Sequence, residues 1–127
     1  MKTLKEEVKF DCSADELWAI LSDVGRCDWF PTIEKIELED DLRHFEMTGM
    51  GKITEKILKQ DHTSMTLQYS AIQTPAHIEH HLATMEVAPL NDQECRLRWT
   101  TEISPDIFAD DIHQGMLVSI EGIKTVI

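Results

Sequence analysis

A glutamate and an arginine on neighbouring predicted strands are the first candidates for chemistry. In the strand 52–60, Glu55 alternates with isoleucines, so its carboxylate is expected to face the apolar interior. On the preceding strand, 43–47, Arg43 shares a face with Phe45. A carboxylate beside an apolar wall has a raised pKa unless a guanidinium lowers it again, and it can act as an acid/base or hold a polar ligand head. The alternatives are a structural Arg43–Glu55 ion pair and an arginine side chain that reaches solvent at the rim.

A histidine-rich segment, His-Ile-Glu-His-His at 77–81, is the second candidate. On a strand 77–87, His77, Glu79 and His81 would share one face. His77 and His81 would then lie about 13 Å apart, too far to share an ion that binds imidazole at about 2 Å. We therefore predict no metal and no cofactor, and expect Glu79 and His81 to line a pocket as polar handles. The alternative places His77 and Glu79 at a solvated strand end.

Other chemistry finds little support in the sequence. There is no Gly-x-Ser-x-Gly elbow and no glycine-rich phosphate loop followed by a helix. The net charge of −12 argues against nucleic acid and against anionic lipid headgroups. No apolar run is long enough for membrane insertion. Three cysteines without CxxC spacing favour a reducing, cytoplasmic location.

The elements that must position these residues begin with a helix. Ser13 and Glu16 have the spacing of a capping box, and the helix is expected to end near Gly25. A second short helical turn is predicted before Pro31, so a helical pair follows the first strand. Alternating segments predict seven strands, at 4–12, 33–39, 43–47, 52–60, 64–73, 77–87 and 94–103.

A second, longer helix is expected after Pro105, from Asp106 to the end of the sequence. One apolar stripe runs along it: Phe108, Ile112, Met116, Ile120, Ile123 and Ile127. Short loops favour antiparallel strands, and only a sheet that curves around this helix can bury the stripe. The 127 residues therefore form one α+β domain with a pocket between sheet and helix. By strand parity, Glu55, Tyr69, His81 and Trp99 share the concave face.

The sequence resembles the START-like helix-grip superfamily (SRPBCC), in its polyketide cyclase/dehydrase-like branch. The resemblance covers nearly the whole chain and rests on Ser13-x-x-Glu16-x-Trp18-x-x-Leu21-Ser-Asp23, Trp29-x-Pro31, Gly51-x-Ile53-x-Glu55-x-Ile57 and Leu97-x-Trp99. It implies a helix-grip fold with a hydrophobic pocket for lipids, polyketides, hormones or other apolar molecules. The last helix is shorter than in relatives, so one end of the pocket is expected to be open.

The first functional hypothesis is therefore the binding of a small apolar or aromatic ligand. Access would be gated by the connector 26–31, the hairpin loop at Gly49 and the last helix. The expected ligand-binding residues are Arg43, Phe45, Glu55, Tyr69, Glu79, His81, Met85, Trp99, Ile112 and Met116. One alternative is a cyclase or dehydratase in which Glu55 or His81 is the base and Arg43 steadies an enolate oxygen. A second alternative is a protein-interaction module.

Overall fold

The seven strands form one antiparallel sheet, as predicted. The computed structural model describes residues 1–127. The strands are β1 (Lys2–Phe10), β2 (Ile33–Glu39), β3 (Leu42–Met47), β4 (Gly51–Asp61), β5 (Thr66–Gln73), β6 (His80–Asn91) and β7 (Glu94–Ser104). Their order in the sheet is β1-β7-β6-β5-β4-β3-β2. The helices α1 (Ala14–Leu21) and α2 (Ala109–Lys124) complete the fold, and the predicted helix-grip architecture is confirmed.

Helix α1 begins as predicted but ends early. The Ser13 hydroxyl accepts the Glu16 N–H at 3.1 Å, which satisfies one of the free donors of the first turn. The helix ends at Leu21, with Ser22 as its cap, four residues short of the expected end near Gly25. The Gln60 side-chain amide of β4 donates to the Ser22 carbonyl at 2.6 Å and so satisfies a helix-end acceptor.

The connector between α1 and β2 is not helical, so the prediction of a second helical turn is wrong. Residues 22–32 form successive turns, in which Arg26 N–H donates to the Asp23 carbonyl and Phe30 N–H to the Cys27 carbonyl. The Arg26 side chain also pairs with Asp28 at 2.6 Å. These local bonds replace the i→i−4 pattern that a helix would need.

Strand β6 begins three residues later than predicted and continues further. It starts at His80, because the break at Thr74-Pro75 extends through Glu79. At its other end the strand includes Pro89 and Asn91, and the turn to β7 is Asp92-Gln93 rather than 89–92. The prediction that His77 and Glu79 share a strand face with His81 is therefore wrong.

Helix α2 follows one 3₁₀ turn, Asp106–Phe108, and packs on the sheet through the main core. Met116, Ile120 and Ile123 of the predicted stripe are buried, whereas Phe108 and Ile112 are half-buried and Ile127 is exposed. His113 of α2 bonds Glu6 of β1 at 2.7 Å. A 19-residue core lies between β1, β5–β7 and the two helices, and Ile33, Phe45 and Ile53 form a separate small cluster in β2–β4.

Candidate functional site

Arg43 and Glu55 form an ion pair inside the protein. They are direct cross-strand partners in the β3–β4 hairpin. Arg43 Nε donates to Glu55 Oε1 at 2.7 Å, and the two side chains are only 6% and 13% exposed. Parity places both on the concave face, as predicted, and the structure forms the ion pair that was one of the open alternatives. An arginine reaching solvent at the rim is excluded by this burial.

The Arg43 guanidinium is held on three sides. Besides Glu55, it lies over the Tyr69 ring with 4.6 Å between the guanidinium carbon and the ring centroid. Its Nη1 also donates to the Val24 carbonyl of the connector at 3.4 Å. A cation over an aromatic face is attracted by the ring quadrupole. The arginine therefore links the connector, the hairpin and β5 at one point.

Tyr69 is the centre of the polar cluster. It stands opposite Ile57 of β4 and Ala83 of β6. Its ring centroid is 6.1 Å from that of His81. Burial, followed by the negative charge of Glu55, raises the pKa of Tyr69 well above its usual value, against smaller lowering effects of Arg43 and the neighbouring Trp99. The phenol therefore keeps its proton at neutral pH.

His81 is buried and fixed in one tautomer. Its Nδ1 accepts the Ala71 backbone N–H at 2.9 Å, so the neutral ring carries its proton on Nε2. The Ser70 hydroxyl donates to the backbone carbonyl of His81. Burial lowers the pKa of His81, and Glu55 opposes this only in part. The site thus presents a neutral imidazole N–H donor.

Trp99 completes the concave wall on β7. It pairs with Met85 across the β6–β7 ladder, and both are buried together with Met116 of α2. Its indole N–H makes no hydrogen bond of ordinary geometry. It nevertheless lies near enough to the Tyr69 hydroxyl oxygen to have a lowering effect on the pKa of Tyr69. Glu55, Tyr69, His81 and Trp99 therefore share the concave face, as strand parity predicts.

Three of the predicted ligand-binding residues lie elsewhere or are less enclosed. Glu79 is exposed in the segment before β6, which matches the alternative of a solvated strand end. Ile112 is half-buried at the edge of the main core. Phe45 is buried, but it belongs to the small cluster with Ile33 and Ile53. The binding role of the remaining residues stays a prediction.

Two cavities of the protein lie outside the space between the sheet and α2. One, of about 1130 Å³, surrounds the β2–β3–β4 end and the hairpin loop, and Phe45 is its only predicted ligand-binding residue. Another, of about 460 Å³, has a fully polar lining of β1, β6 and β7 residues such as Lys5, Glu86 and Arg98. Neither of these two cavities is lined by Tyr69, His81 or Trp99.

No group of three or more histidine, cysteine, aspartate or glutamate side chains is placed to hold a metal ion. In particular, the side chain of His81 faces the interior, while His77 is exposed in the break before the strand. None of the helices has the length and apolar character needed to span a bilayer.

A close contact between α2 and the connector was not foreseen from the sequence. A Cβ atom on Gly122 would lie 1.9 Å from the Trp29 carbonyl oxygen, so only glycine lets the two backbones meet. Trp29 is buried in the main core and stacks on Phe30 with 3.7 Å between ring centroids. The sequence does offer one signal for this contact. Gly122 lies inside the predicted helix, two residues after Ile120, and a glycine in a helix interior often marks close packing.

Comparisons with known proteins agree with this architecture. The structure of protein XoxI from Bacillus cereus superposes with a TM-score of 0.90 at 16% identity, covering 99% of this chain and 95% of that one. Norcoclaurine synthase from Thalictrum flavum, solved with dopamine and hydroxybenzaldehyde, gives 0.78 at 18% identity, covering 98% and 85%. The di-domain ARO/CYC protein BexL gives 0.85 at 13% identity, covering 98% of this chain and 46% of that one. No curated protein sequence matches this chain.

The fold is thus that of the helix-grip proteins, in which an antiparallel sheet holds a C-terminal helix. Within that class, a family model described as polyketide cyclase / dehydrase and lipid transport matches residues 1–120. The chain belongs to this family, which confirms the resemblance seen in the sequence.

Proposed function

We propose that the protein binds a small apolar or aromatic molecule, lipid-like or polyketide-like, between the concave face of the sheet and α2. The observation that carries the proposal is the buried polar cluster around Tyr69, set in an otherwise apolar wall. Buried polar groups are normally satisfied within the protein, and clusters of them in apolar surroundings are typical of ligand sites. Membership of a family of cyclases and lipid carriers supports the same function.

Access to this site requires movement, because Tyr69, His81 and Trp99 are all buried. The connector between α1 and β2, residues 22–32, is the segment best placed to move, since it is built from turns and rests on α2 through Trp29 and Gly122. Arg43 joins the same connector to the polar cluster through Val24. A ligand that engages the cluster would therefore also affect the connector. A cytoplasmic location, favoured by the three free cysteines, remains part of the proposal.

The acid/base alternative has less support than binding. Glu55 Oε1 is already engaged by Arg43, and His81 would have to give up the Ala71 N–H to expose a basic nitrogen on Nδ1. Both residues are better suited to orient a ligand than to remove its proton.

Ala83 offers a direct test of the proposed site. It lies on the concave face of β6 opposite Tyr69, and its side chain is only a methyl group. Ala83→Leu adds three carbon atoms in front of the cluster, whereas Ala88→Leu adds the same atoms on the outer face of the same strand. Titration with the neutral fluorescent probe N-phenyl-1-naphthylamine is expected to show saturable binding that Ala83→Leu weakens at least about 10-fold and Ala88→Leu leaves unchanged.

Circular dichroism would first establish that both variants are folded. Native mass spectrometry of freshly purified protein would show whether a small molecule co-purifies. The proposal is wrong if the wild-type protein binds no apolar probe, or if both leucine variants bind it as well as the wild type does.

A further inference from the structure

The two edges of the sheet differ in what covers them. The strand order leaves β1 at one edge and β2 at the other, so each has a neighbouring strand on one side only. Strand β1 packs against α2, and Glu6 of β1 bonds His113 of that helix at 2.7 Å. The backbone of residues 34–39 in β2 makes no hydrogen bond to any loop or helix. An uncovered edge of this kind is a template for pairing with another strand.

The hairpin between β2 and β3 decides which backbone groups face the open edge. Its turn has two residues, 40–41, and the pair Glu39–Leu42 closes it. Residue pairs in an antiparallel ladder alternate between those that exchange two hydrogen bonds and those that exchange none, and the pair that closes a two-residue turn exchanges them. The backbone of Glu37 therefore bonds β3, whereas the N–H and C=O groups of Ile36 and Leu38 point away from β3.

Charged side chains lie beside these backbone groups. Lys35 and Glu37 share one face of β2, where they form an ion pair at 2.9 Å. Both side chains are largely exposed, so neither is buried against another element. Charges on an edge strand usually oppose association, because like charges meet when two copies approach. The order of charges on β2 has the opposite consequence for one alignment of two copies.

That alignment is antiparallel and centred on Ile36. Lys35 of each copy then lies opposite Glu37 of the other, and opposite charges that face each other across two strands stabilise the pair. A centre at Lys35 or Glu37 sets that residue opposite its own counterpart, and a centre at Leu38 sets Glu37 opposite Glu39. Each of these alignments places like charges together, which destabilises the pair. The order of residues in β2 thus favours the centre at Ile36 over its neighbours.

We infer that the open edge of β2 docks a second copy of this chain, as an antiparallel strand pair centred on Ile36. The outward N–H and C=O groups of Ile36 then bond those of its counterpart, which is the orientation that the hairpin gives them. Lys35 and Glu37 fall in the pairs without backbone hydrogen bonds, where facing side chains are closest. The seven strands of each copy join into one continuous sheet. No residue of the Tyr69 cluster takes part, so the dimer does not depend on the proposed function.

Sedimentation equilibrium measures this self-association. One strand pair is a small contact, so we expect a dissociation constant on the order of 100 µM and a rise in average mass between about 10 µM and about 1 mM protein. Sodium chloride at about 0.15 M screens the net charge of −12 beyond about 8 Å but leaves facing side chains in contact. Lys35→Glu is expected to weaken the dimer about 10-fold, because it turns both facing pairs into like charges.

Two further variants serve as controls. Lys59→Glu changes the net charge equally but lies exposed on the inner strand β4, so it should change the dissociation constant less than about 2-fold. Lys35→Glu combined with Glu37→Lys restores opposite facing charges and keeps the net charge, so it is expected to recover the wild-type constant. A monomer at every concentration would overturn the inference and leave the edge to a strand of another protein. Equal weakening by Lys35→Glu and Lys59→Glu would overturn the assignment to β2.

Disulfide cross-linking tests the alignment. In a Cys27→Ser background, the remaining native cysteines, Cys12 and Cys95, are buried. Ile36→Cys places a thiol opposite its counterpart with about 5.5 Å between the two Cα atoms, and oxidised glutathione is expected to convert this variant to a disulfide-linked dimer. Leu38→Cys is the control, since its counterpart lies about 13 Å away along the partner strand. Cross-linking of Leu38→Cys in preference to Ile36→Cys would overturn the alignment centred on Ile36.

Discussion

The two ends of the sheet are built differently. Strands β5–β7 with β1 pack against both helices in a continuous 19-residue core, which includes Leu97 and Ile123 at 0% exposure. At the other end, β2–β4 bury only a three-residue cluster and border the cavity of about 1130 Å³. The Arg43–Glu55 pair and Tyr69 lie where the two regions meet. Charged groups are thus buried at the border of the continuous core, next to the hairpin and the connector.

The largest effect is expected from breaking the pair at this border. Glu55→Leu leaves the Arg43 guanidinium buried without a countercharge and is expected to lower the free energy of unfolding by about 3–5 kcal/mol. Glu7→Leu is the matched control, because Glu7 pairs with Arg98 at 2.8 Å on an exposed surface. Urea denaturation measures both variants. Similar losses of unfolding free energy in the two variants would show that breaking the Arg43–Glu55 pair costs no more than breaking a surface pair.

The next effect compares the two apolar clusters directly. Leu97→Ala removes a completely buried side chain from the main core and is expected to cost about 2–5 kcal/mol. Ile53→Ala removes a similar volume from the small cluster, where neighbouring groups and water can fill the space more easily, so its cost should lie at or below the low end of that range. If Ile53→Ala proves as costly as Leu97→Ala, the two ends are equally well packed.

The third effect concerns the connector that joins the two ends. Gly122→Ala places a methyl group against the Trp29 carbonyl and is expected to destabilise the protein by about 1–3 kcal/mol, as overpacking does. Gly115→Ala is the control on the same helix, since its Cβ would meet nothing within 4 Å. It should stabilise the helix by about 0.5–1 kcal/mol.

Thermal unfolding and the combined emission of the three tryptophans measure both glycine variants. Displacement of the connector in Gly122→Ala is expected to shift tryptophan emission to longer wavelength. A Gly122→Ala protein as stable as Gly115→Ala, with unchanged emission, would show that the connector does not depend on this contact.

Strand parity was enough to predict which side chains face inward, because side chains alternate with a period of two. It assigned Glu55, Tyr69, His81 and Trp99 to one face, and the register of β4–β7 places them there. What parity could not supply was where an element begins or ends. Those limits depend on distant groups, such as the Gln60 side chain that bonds the end of α1 across 38 positions of sequence.

The shape of the interior was also beyond sequence reasoning. Whether apolar residues line a cavity or fill it depends on how closely α2 approaches the sheet. Gly122 lets α2 meet the connector, and Met116 and Ile120 are buried in the main core. Only the three-dimensional packing shows that these two side chains are buried.

The smallest effect is a pH dependence that His81 brings to the border region. Burial lowers the pKa of His81, with smaller lowering effects of His80 and Arg43 and an opposing one of Glu55. The unfolded chain then binds a proton more readily than the folded protein. The contribution of His81 to the stability of the folded protein is therefore complete above the ordinary pKa of 6.5 and is lost as the pH falls below it.

His81→Asn keeps an acceptor for the Ala71 N–H but does not titrate. Between about pH 7.5 and pH 5, the midpoint of thermal unfolding is expected to fall more in the wild type than in this variant. Parallel decreases would show that other groups account for the pH dependence and that His81 is protonated without cost in the folded state.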